Sequence, residues 1–167
     1  MQSDLWALPL VGERTPFPVV QTSFEDVGGQ FSPDGRWVAY ASNETGRYEV
    51  YVRPFPDLGG KWQVSTGGGI TPRWRRDGLE LFYVAPDNQM MAVSIQVAAE
   101  GRALSPGAPV ALFPTRLATL NTGIGGYSSR AQYAVAPDGR FLLNVTVEDA
   151  AAAPITLVLN WTAGLEN

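Results

Sequence analysis

The first strong signal in the sequence is a short segment in which apolar residues occupy both faces of an extended strand. Residues 31–35 read Phe-Ser-Pro-Asp-Gly, and residues 36–41 follow as Arg-Trp-Val-Ala-Tyr-Ala. Alternate side chains of a strand point to opposite faces, so Trp37 and Ala39 lie on one face while Val38 and Tyr40 lie on the other. A strand that is apolar on both faces predicts a sheet packed between two neighbouring sheets.

The turn that precedes this strand recurs along the chain. In Ser32-Pro33-Asp34-Gly35 the proline presets the φ angle of a type I turn, the aspartate bonds to its local backbone, and the glycine takes the left-handed position. Weaker copies stand at Arg76-Asp77-Gly78 and Pro137-Asp138-Gly139, which places the three glycines 43 and 61 residues apart. Each turn is expected to join the first two strands of a repeated unit.

Further strands are predicted after each turn. They cover residues 36–41, 48–55 and 61–65 in the first unit, 79–85, 89–96 and 110–113 in the second, and 140–144 and 155–161 in the third. Residues 4–10 are similar in character to residues 49–55, with Pro9 in the place of Pro54, and a second N-terminal strand is expected at 16–20. No segment has a helical stripe of apolar residues. Four strands in a period of about 40 to 45 residues are the signature of a β-propeller.

The predicted fold class is therefore all-β, with propeller blades of four antiparallel strands in one segment covering residues 1–167. The predicted divisions are a half blade at 1–22, blades at 23–66 and 67–114, an inserted Gly/Thr/Ser/Asn-rich loop at 115–130, and an incomplete blade at 131–167. This makes about three and a half blades, whereas closed propellers typically have four to eight. With Met1 standing in mid-blade, we expect either a fragment of a larger propeller or half of a ring closed by dimerisation.

Composition excludes several classes of chemistry. The 167 residues contain no Cys and no His, so disulfides, Cys-His pairs, Ser-His-Asp triads and His-ligated zinc sites cannot be built from this chain alone. The net charge of -4 argues against binding to nucleic acid. No apolar run approaches the roughly 20 residues that cross a bilayer, and no signal peptide is visible at the start, so no membrane insertion by this chain is expected.

The segment Ser32-Pro33-Asp34-Gly35-Arg36-Trp37-Val38-Ala39-Tyr40 closely resembles the WD40-like repeat of TolB-type propellers. Residues 136–143 are a weaker match, and residues 76–78 are weaker again. The run from Phe31 to Gln96 looks most like the C-terminal propeller regions of some bacterial serine/threonine kinases. The resemblance implies a propeller and an extracytoplasmic or periplasmic location, and it implies no activity, since the same blades serve as interaction modules and stand beside peptidase domains.

Candidate binding residues are the polar side chains expected on the innermost strands and at the channel mouth. They are Glu25, Asp26, Gln30, Arg73, Arg75 and Gln132. Arg73 and Arg75 share one strand face and could hold an anion in the channel, although a solvated edge or pairing with Glu25 and Asp26 is favoured. Glu25 and Asp26 are adjacent and point opposite ways, so acid-base work by this pair is not expected.

Two further groups have a structural interpretation beside a functional one. The aromatic residues Trp37, Tyr40, Trp62, Trp74, Phe82, Tyr83 and Trp161 could stack on a sugar or peptide, but packing between blades is favoured. The turn residues Asp34, Asp77 and Asp138 could bind calcium, but local turn bonding is favoured because the alternating Asp/Asn pattern of a calcium loop is missing. Residues 67–69 lack a phosphate-loop pattern. We assign no catalytic residue, metal or cofactor.

Three hypotheses on function remain. The first is a non-catalytic propeller segment of a larger sensor or TolB-like protein that binds a protein or small-molecule ligand through its channel mouth or loops. The second is an accessory propeller of a peptidase-type hydrolase whose chemistry lies elsewhere. The third is a propeller glycosidase or lyase that works with carboxylates.

Overall fold

In a computed structural model, the described residues are 3–56, 59–98, 101, 103–117 and 132–145, and they form strands and turns without a helix. The strands in these residues are β1 (Leu5–Ala7), β2 (Phe17–Val20), β3 (Asp26–Phe31), β4 (Trp37–Ser42), β5 (Glu49–Pro54), β6 (Trp62–Gln63), β7 (Ile70–Trp74), β8 (Glu80–Val84), β9 (Gln89–Val97), β10 (Leu104–Pro106), β11 (Val110–Pro114), β12 (Tyr133–Val135) and β13 (Phe141–Leu143). The predicted strand at 155–161 and residues 118–130 of the predicted loop lie outside the described residues.

The strands form four antiparallel sheets. Sheet 1 is β1-β2, sheet 2 is β3-β4-β5-β6, sheet 3 is β7-β8-β9-β10 with β11 also paired to β9, and sheet 4 is β12-β13. A four-stranded and a five-stranded sheet between two-stranded ones make the chain a partial β-propeller, which confirms the predicted fold class. The predicted divisions between blades stay predictions.

Strand β10 is a feature that the sequence pattern did not predict. Residues 104–106 pair with one end of β9, at Ile95 to Val97, while β11 pairs with its other end, at Gln89 to Ala92. Because β9 is nine residues long, its two halves have room for different outer partners. The predicted fourth strand at 110–113 is therefore confirmed as β11, but it shares its edge with β10.

The three Asp-Gly turns have the local bonding that was predicted from their residues. Each aspartate carboxylate accepts a backbone N–H two residues on, from Arg36 at 3.1 Å, Leu79 at 3.0 Å and Arg140 at 3.2 Å. The turn glycines have φ angles of 70°, 73° and 86°, in the left-handed region that favours glycine. These carboxylates therefore stabilise the hairpin turns through local hydrogen bonds. No observation in the described residues supports calcium binding by them.

Strand β4 is buried along its whole length because a sheet covers each of its faces. Trp37 and Ala39 pack against sheet 3, while Val38 and Tyr40 pack against sheet 1. Full burial of a large apolar side chain contributes about 1.5 to 3 kcal/mol. The interpretation of this strand as sandwiched between two sheets is confirmed.

The same two-sided packing continues from sheet 3 to sheet 4. Leu81 and Tyr83 of β8 pack against sheet 2, whereas Phe82 packs against sheet 4. On that second side the ring centroid of Phe141 lies 4.9 Å from that of Phe82 in an edge-to-face arrangement. The predicted packing role of the described aromatic residues is confirmed, while Trp161 lies outside the described residues.

Glu49, at the start of β5, is a buried carboxylate that fixes the connection between sheets 2 and 3. It is 1% exposed, and it accepts the backbone N–H of Gly68 at 2.9 Å, the hydroxyl of Ser65, and the Nε–H of Arg47 at 2.7 Å. Arg47 also donates to the carbonyl of Thr66 at 2.7 Å. A buried charge is tolerated when several donors surround it, and here Ser65 and Gly68 of the connecting loop supply two of them.

A backbone hydrogen bond next to this position recurs in three successive sheets. The carbonyl of Tyr48 accepts the N–H of Gly69 at 2.9 Å, as the carbonyl of Ser3 accepts that of Asp26 at 2.8 Å. The carbonyl of Asn88 likewise accepts the N–H of Thr115 at 2.6 Å. In each case a residue just before the third strand of a sheet binds the segment that follows the last strand of that sheet. The same hydrogen bond therefore fixes where the chain crosses from one sheet to the next.

We expect Glu49→Gln to lower the free energy of unfolding by about 2 kcal/mol, because hydrogen bonds to a charged acceptor are lost in a buried site. Urea unfolding followed by tryptophan fluorescence measures this change. The exposed Glu13→Gln is the matched control and should stay within about 0.5 kcal/mol of the parent. Equal, small effects of both substitutions would contradict the role given to Glu49.

Three buried tyrosines predict loss of stability at alkaline pH. Burial raises the pKa of Tyr51 to about 12, and burial together with the nearby charge of Glu49 raises that of Tyr83 to about 12. Burial also raises the pKa of Tyr40. The folded state favours the neutral phenol, so this stabilisation is complete below the unfolded pKa, near 10, and is lost as pH rises toward the folded values.

Urea unfolding at pH 8, 10 and 11 should therefore show falling stability, and the fall should be smaller in Tyr83→Phe. Absorbance at 295 nm gives an independent reading of phenolate formation. If the folded protein titrates all of its tyrosines with a midpoint near 10, the burial of these side chains between sheets is wrong.

Candidate functional site

The described sheets have two ends with different construction. At one end, the loop face, the chain enters β3 and β7 and the turns β4–β5 and β8–β9 close. At the opposite end, the hairpin face, lie the Asp-Gly turns. The six candidate residues can be placed on this frame because the register of the sheets is known.

Glu25 and Asp26 lie at the loop face, just before and at the start of β3. The Glu25 carboxylate accepts the hydroxyl of Tyr48 at 2.6 Å, and its backbone N–H donates to Asn43 Oδ1 at 2.9 Å. Asp26 is 1% exposed and accepts the hydroxyl of Thr22 at 2.7 Å. Both carboxylates hold the entry to β3 in place, and only Glu25 is accessible to a ligand.

Gln30 and Arg73 lie on the innermost strands between the two ends. The Gln30 side-chain oxygen accepts the backbone N–H of Trp74 at 3.0 Å, which joins β3 to β7. The Arg73 guanidinium lies 5.8 Å from the ring centroid of Tyr133 and donates to the carbonyl of Pro72 at 2.8 Å. These contacts give both residues a role in joining neighbouring sheets.

Arg75 lies at the hairpin face, one residue beyond β7. Its guanidinium binds the carboxylates of Asp77 at 2.9 Å and Glu80 at 2.7 Å. The hydrogen bond with Asp77 raises the pKa of Arg75, and the same contact lowers the pKa of Asp77. Arg75 therefore does not pair with Glu25 or Asp26, which was one of the favoured alternatives, because the hairpin supplies nearer carboxylates.

Gln132 is buried at the start of β12, at the loop-face end of sheet 4, where its carbonyl accepts the N–H of Asn144 at 2.9 Å. The next residue, Tyr133, donates its hydroxyl to the carbonyl of Thr71 at 2.8 Å. Gln132 therefore stands where sheet 4 is joined to sheet 3.

The structure does not bring the six candidates together as one site. The length of β3 separates Asp26 from the hairpin face by about 17 Å, at about 3.3 Å per residue. Arg75 therefore lies at the opposite end of the sheets from Glu25 and Asp26. The pattern of polar residues on the inner strands was a correct guide to the strands, but it carried no information on which end each residue occupies.

A groove that sequence reasoning missed opens at the loop face between sheets 2 and 3. It has a volume of about 280 Å³, and its walls include Arg47, Tyr48, Ile70, Val84, Pro86 and Asn88. Tyr48 is the partner of Glu25, so the groove meets this acidic candidate only through the side chain that binds it. The residues come from three separate segments, which explains why no local sequence motif marks them.

A second, shallower groove of about 530 Å³ adjoins the first and shares Ala85 and Pro86 with it. Its walls include Thr66, Gly68, Gln89, Met91 and Pro109. The loop 66–69 stands between the grooves and is held by the Glu49 carboxylate. The two grooves together form a continuous, mainly uncharged surface that is rigid on its sheet-2 side.

Among the described residues, the charged side chains around the grooves do not form a metal-binding group. Asp87 borders the second groove, and its carboxylate accepts the N–H of Gln89 at 3.1 Å. Within the described ranges no group of three or more Asp and Glu residues could hold a metal ion. The same residues include no helix long and apolar enough to cross a membrane.

Comparison with known proteins gives likeness in fold only. No family model matches the sequence, and no curated protein matches it. TolB from Acinetobacter baumannii aligns with 84% of this chain and 42% of its own, at 18% identity and a TM-score of 0.48. A structure described as TolB from Agrobacterium tumefaciens aligns with 65% of this chain and 42% of its own, at 15% identity and a TM-score of 0.46.

This chain thus spans less than half the length of either structure. Likeness at this level carries no function across, and the propeller architecture rests on the strand pairing and sheet packing described above.

The bond between Tyr48 and Glu25 can be measured with a double-mutant cycle. We expect Tyr48→Phe and Glu25→Ala to be coupled by about 1 kcal/mol in the free energy of unfolding, since the bond joins a hydroxyl to a carboxylate at 2.6 Å. The matched cycle of Tyr48→Phe with Glu13→Ala should show no coupling. A coupling below about 0.3 kcal/mol in the first cycle would mean that the bond is not formed in solution.

Proposed function

We propose that this chain is a non-catalytic β-propeller segment that binds a partner protein or small ligand at the loop face. The observation that carries the proposal is the pair of adjoining grooves between the loops of sheets 2 and 3. Loops mounted on a rigid scaffold are the usual place for binding residues. The Glu49 carboxylate and the Gly69 hydrogen bond hold the dividing loop, so little ordering is needed on binding.

The size of the first groove favours a short segment over a bulky substrate. Pockets for small molecules usually measure about 300 to 1,000 Å³, and the 280 Å³ groove lies just under that range. One or two side chains of an extended peptide would fill it, and the shallower second groove would take the residues that follow. Arg47, with 60% of its side chain exposed, stands at the rim where a carboxylate of the ligand could meet it.

Two observations support binding without catalysis. Carboxylate-based glycosidases place two acidic groups across an open cleft, whereas Glu25 is bonded to Tyr48 and Asp26 is buried. Among the residues that line the described grooves, one is acidic, Asp87. Acid-base catalysis on a sugar requires two acidic residues.

We further propose that the segment works as part of a larger sensor or TolB-like protein in an extracytoplasmic compartment. Support comes from the resemblance of residues 32–40 to the TolB-type repeat and of residues 31–96 to the propeller regions of bacterial kinases. The uncovered apolar residues of sheets 1 and 4 also support a larger assembly.

A peptide library displayed on phage and panned against the protein tests the proposed binding surface. Pro86→Arg places a long cation in both grooves. The backbone is expected to tolerate the change, because Arg76 is the second residue of the β7–β8 turn, which is closed by the same type of hydrogen bond. The matched control is Pro33→Arg, which alters the equivalent proline at the hairpin face.

We expect the selected peptides to bind the parent and Pro33→Arg alike, and Pro86→Arg at least tenfold more weakly in isothermal titration calorimetry. Selected peptides that bind all three proteins equally would place the binding surface elsewhere. Repeated failure to select any peptide would argue against a peptide-binding groove.

A further inference from the structure

The two-stranded sheets at the ends of the described structure leave large apolar side chains uncovered. Trp6 and Leu8, in and just after β1, are 54% and 55% exposed, and Leu142 of β13 is 75% exposed. In the complete sheet 2, Tyr51 and Ala39 hold the positions of Trp6 and Leu142 and are buried between neighbouring sheets, while Arg53, in the position of Leu8, is half-buried. Uncovered faces of this kind mark interaction sites.

Sheets 1 and 4 are complementary halves of one four-stranded sheet. Residues 4–7 repeat the character of residues 49–52, and the Ser3 and Tyr48 carbonyls make the same bond to the outgoing chain, so β1 and β2 hold the third and fourth positions. Strands β12 and β13 are joined by an Asp-Gly turn as β3 and β4 are, so they hold the first and second positions.

We propose that β13 of one copy pairs with β1 of a second copy, so that the two half sheets form a composite four-stranded sheet. The register follows from sheet 2, where β4 pairs with β5. Val135 pairs with Phe141 in sheet 4, as Phe31 pairs with Val38 in sheet 2. Phe141 then lies opposite Leu8 of the second copy, and Leu143 lies opposite its Trp6.

The side-chain directions agree with this register. Phe141 and Leu143 already pack against sheet 3 of their own copy, and Trp6 and Leu8 of the second copy would extend that same apolar face. Leu142 points the other way, where Leu5 and Ala7 of the second copy pack on their own sheet 2. All three exposed side chains become covered in one arrangement.

The number of copies follows from the number of sheets. In its described residues, one copy supplies sheets 2 and 3 and, through its two halves, one further sheet in the assembly. Closed propellers typically contain four to eight blades. Two copies give six sheets, whereas one gives three and three give nine. The contact is head to tail, and it closes as a ring at two copies.

The inference rests on the proposed function only in treating the chain as a propeller segment, and it does not involve the loop-face grooves. Other occupants of the uncovered faces are a preceding sheet of a longer protein and, beside β13, the strand predicted at 155–161. The experiment separates these from a second copy.

Light scattering coupled to gel filtration should give twice the 18.0 kDa of one chain at about 50 µM protein. Because the chain has no cysteine, engineered disulfides report the contact cleanly. We expect Leu8→Cys combined with Phe141→Cys to form a disulfide-linked dimer in non-reducing electrophoresis. The matched pair Leu79→Cys with Phe141→Cys should not, since Leu79 precedes β8 on the face that Leu81 and Tyr83 turn toward sheet 2, away from Phe141.

Trp6→Ser and Leu142→Ser should each weaken the dimer at least tenfold, while Leu79→Ser, which also alters an exposed leucine, should leave it unchanged. Four results would overturn the proposal: a folded monomer at about 50 µM, an open polymer, a dimer insensitive to both serine substitutions, or a disulfide formed within one chain. Peptide binding at the loop face tests the proposed function separately, because Pro86 is not in this contact.

Discussion

The structure depends on the burial of both faces of the middle strands. A strand such as β4, with Trp37 on one face and Tyr40 on the other, loses apolar contact with water only when a sheet lies on each side. This requirement stacks sheets 1 to 4 in sequence order, each on the next. In the described residues the outer sheets leave Trp6 and Leu142 exposed, and the proposed contact between copies starts from this observation.

The loop face follows from the same stacking together with one buried carboxylate. Stacked sheets bring the turns of neighbouring units together, but they do not fix the loops between them. Glu49 does this for residues 65–68, because its oxygens accept the hydroxyl and backbone N–H groups that the loop would otherwise leave buried without a partner. The grooves on either side of this loop owe their shape to that set of bonds, so the stability of the connection and the shape of the proposed binding surface have one origin.

Sequence alone was enough for the features that depend on near neighbours in the chain. The alternation in 36–41 and the three Asp-Gly turns are local signals, and the strands and hairpins they predict are present in the described residues. The candidate site could not be predicted from the sequence, because Arg47, Ile70 and Asn88 meet only through the packing of separate sheets. The position of Arg75 beyond β7 was also hidden, since a strand pattern does not show where pairing stops.

Hydrogen exchange followed by mass spectrometry at several protein concentrations tests the stacking of the sheets most directly. The account predicts that residues 37–42 exchange slowly at every concentration, because both faces of β4 are covered within one copy. It also predicts that residues 5–8 and 141–145 gain protection together as concentration rises. Rapid exchange of residues 37–42, as fast as that of the turn before them, would contradict the burial on which the fold depends.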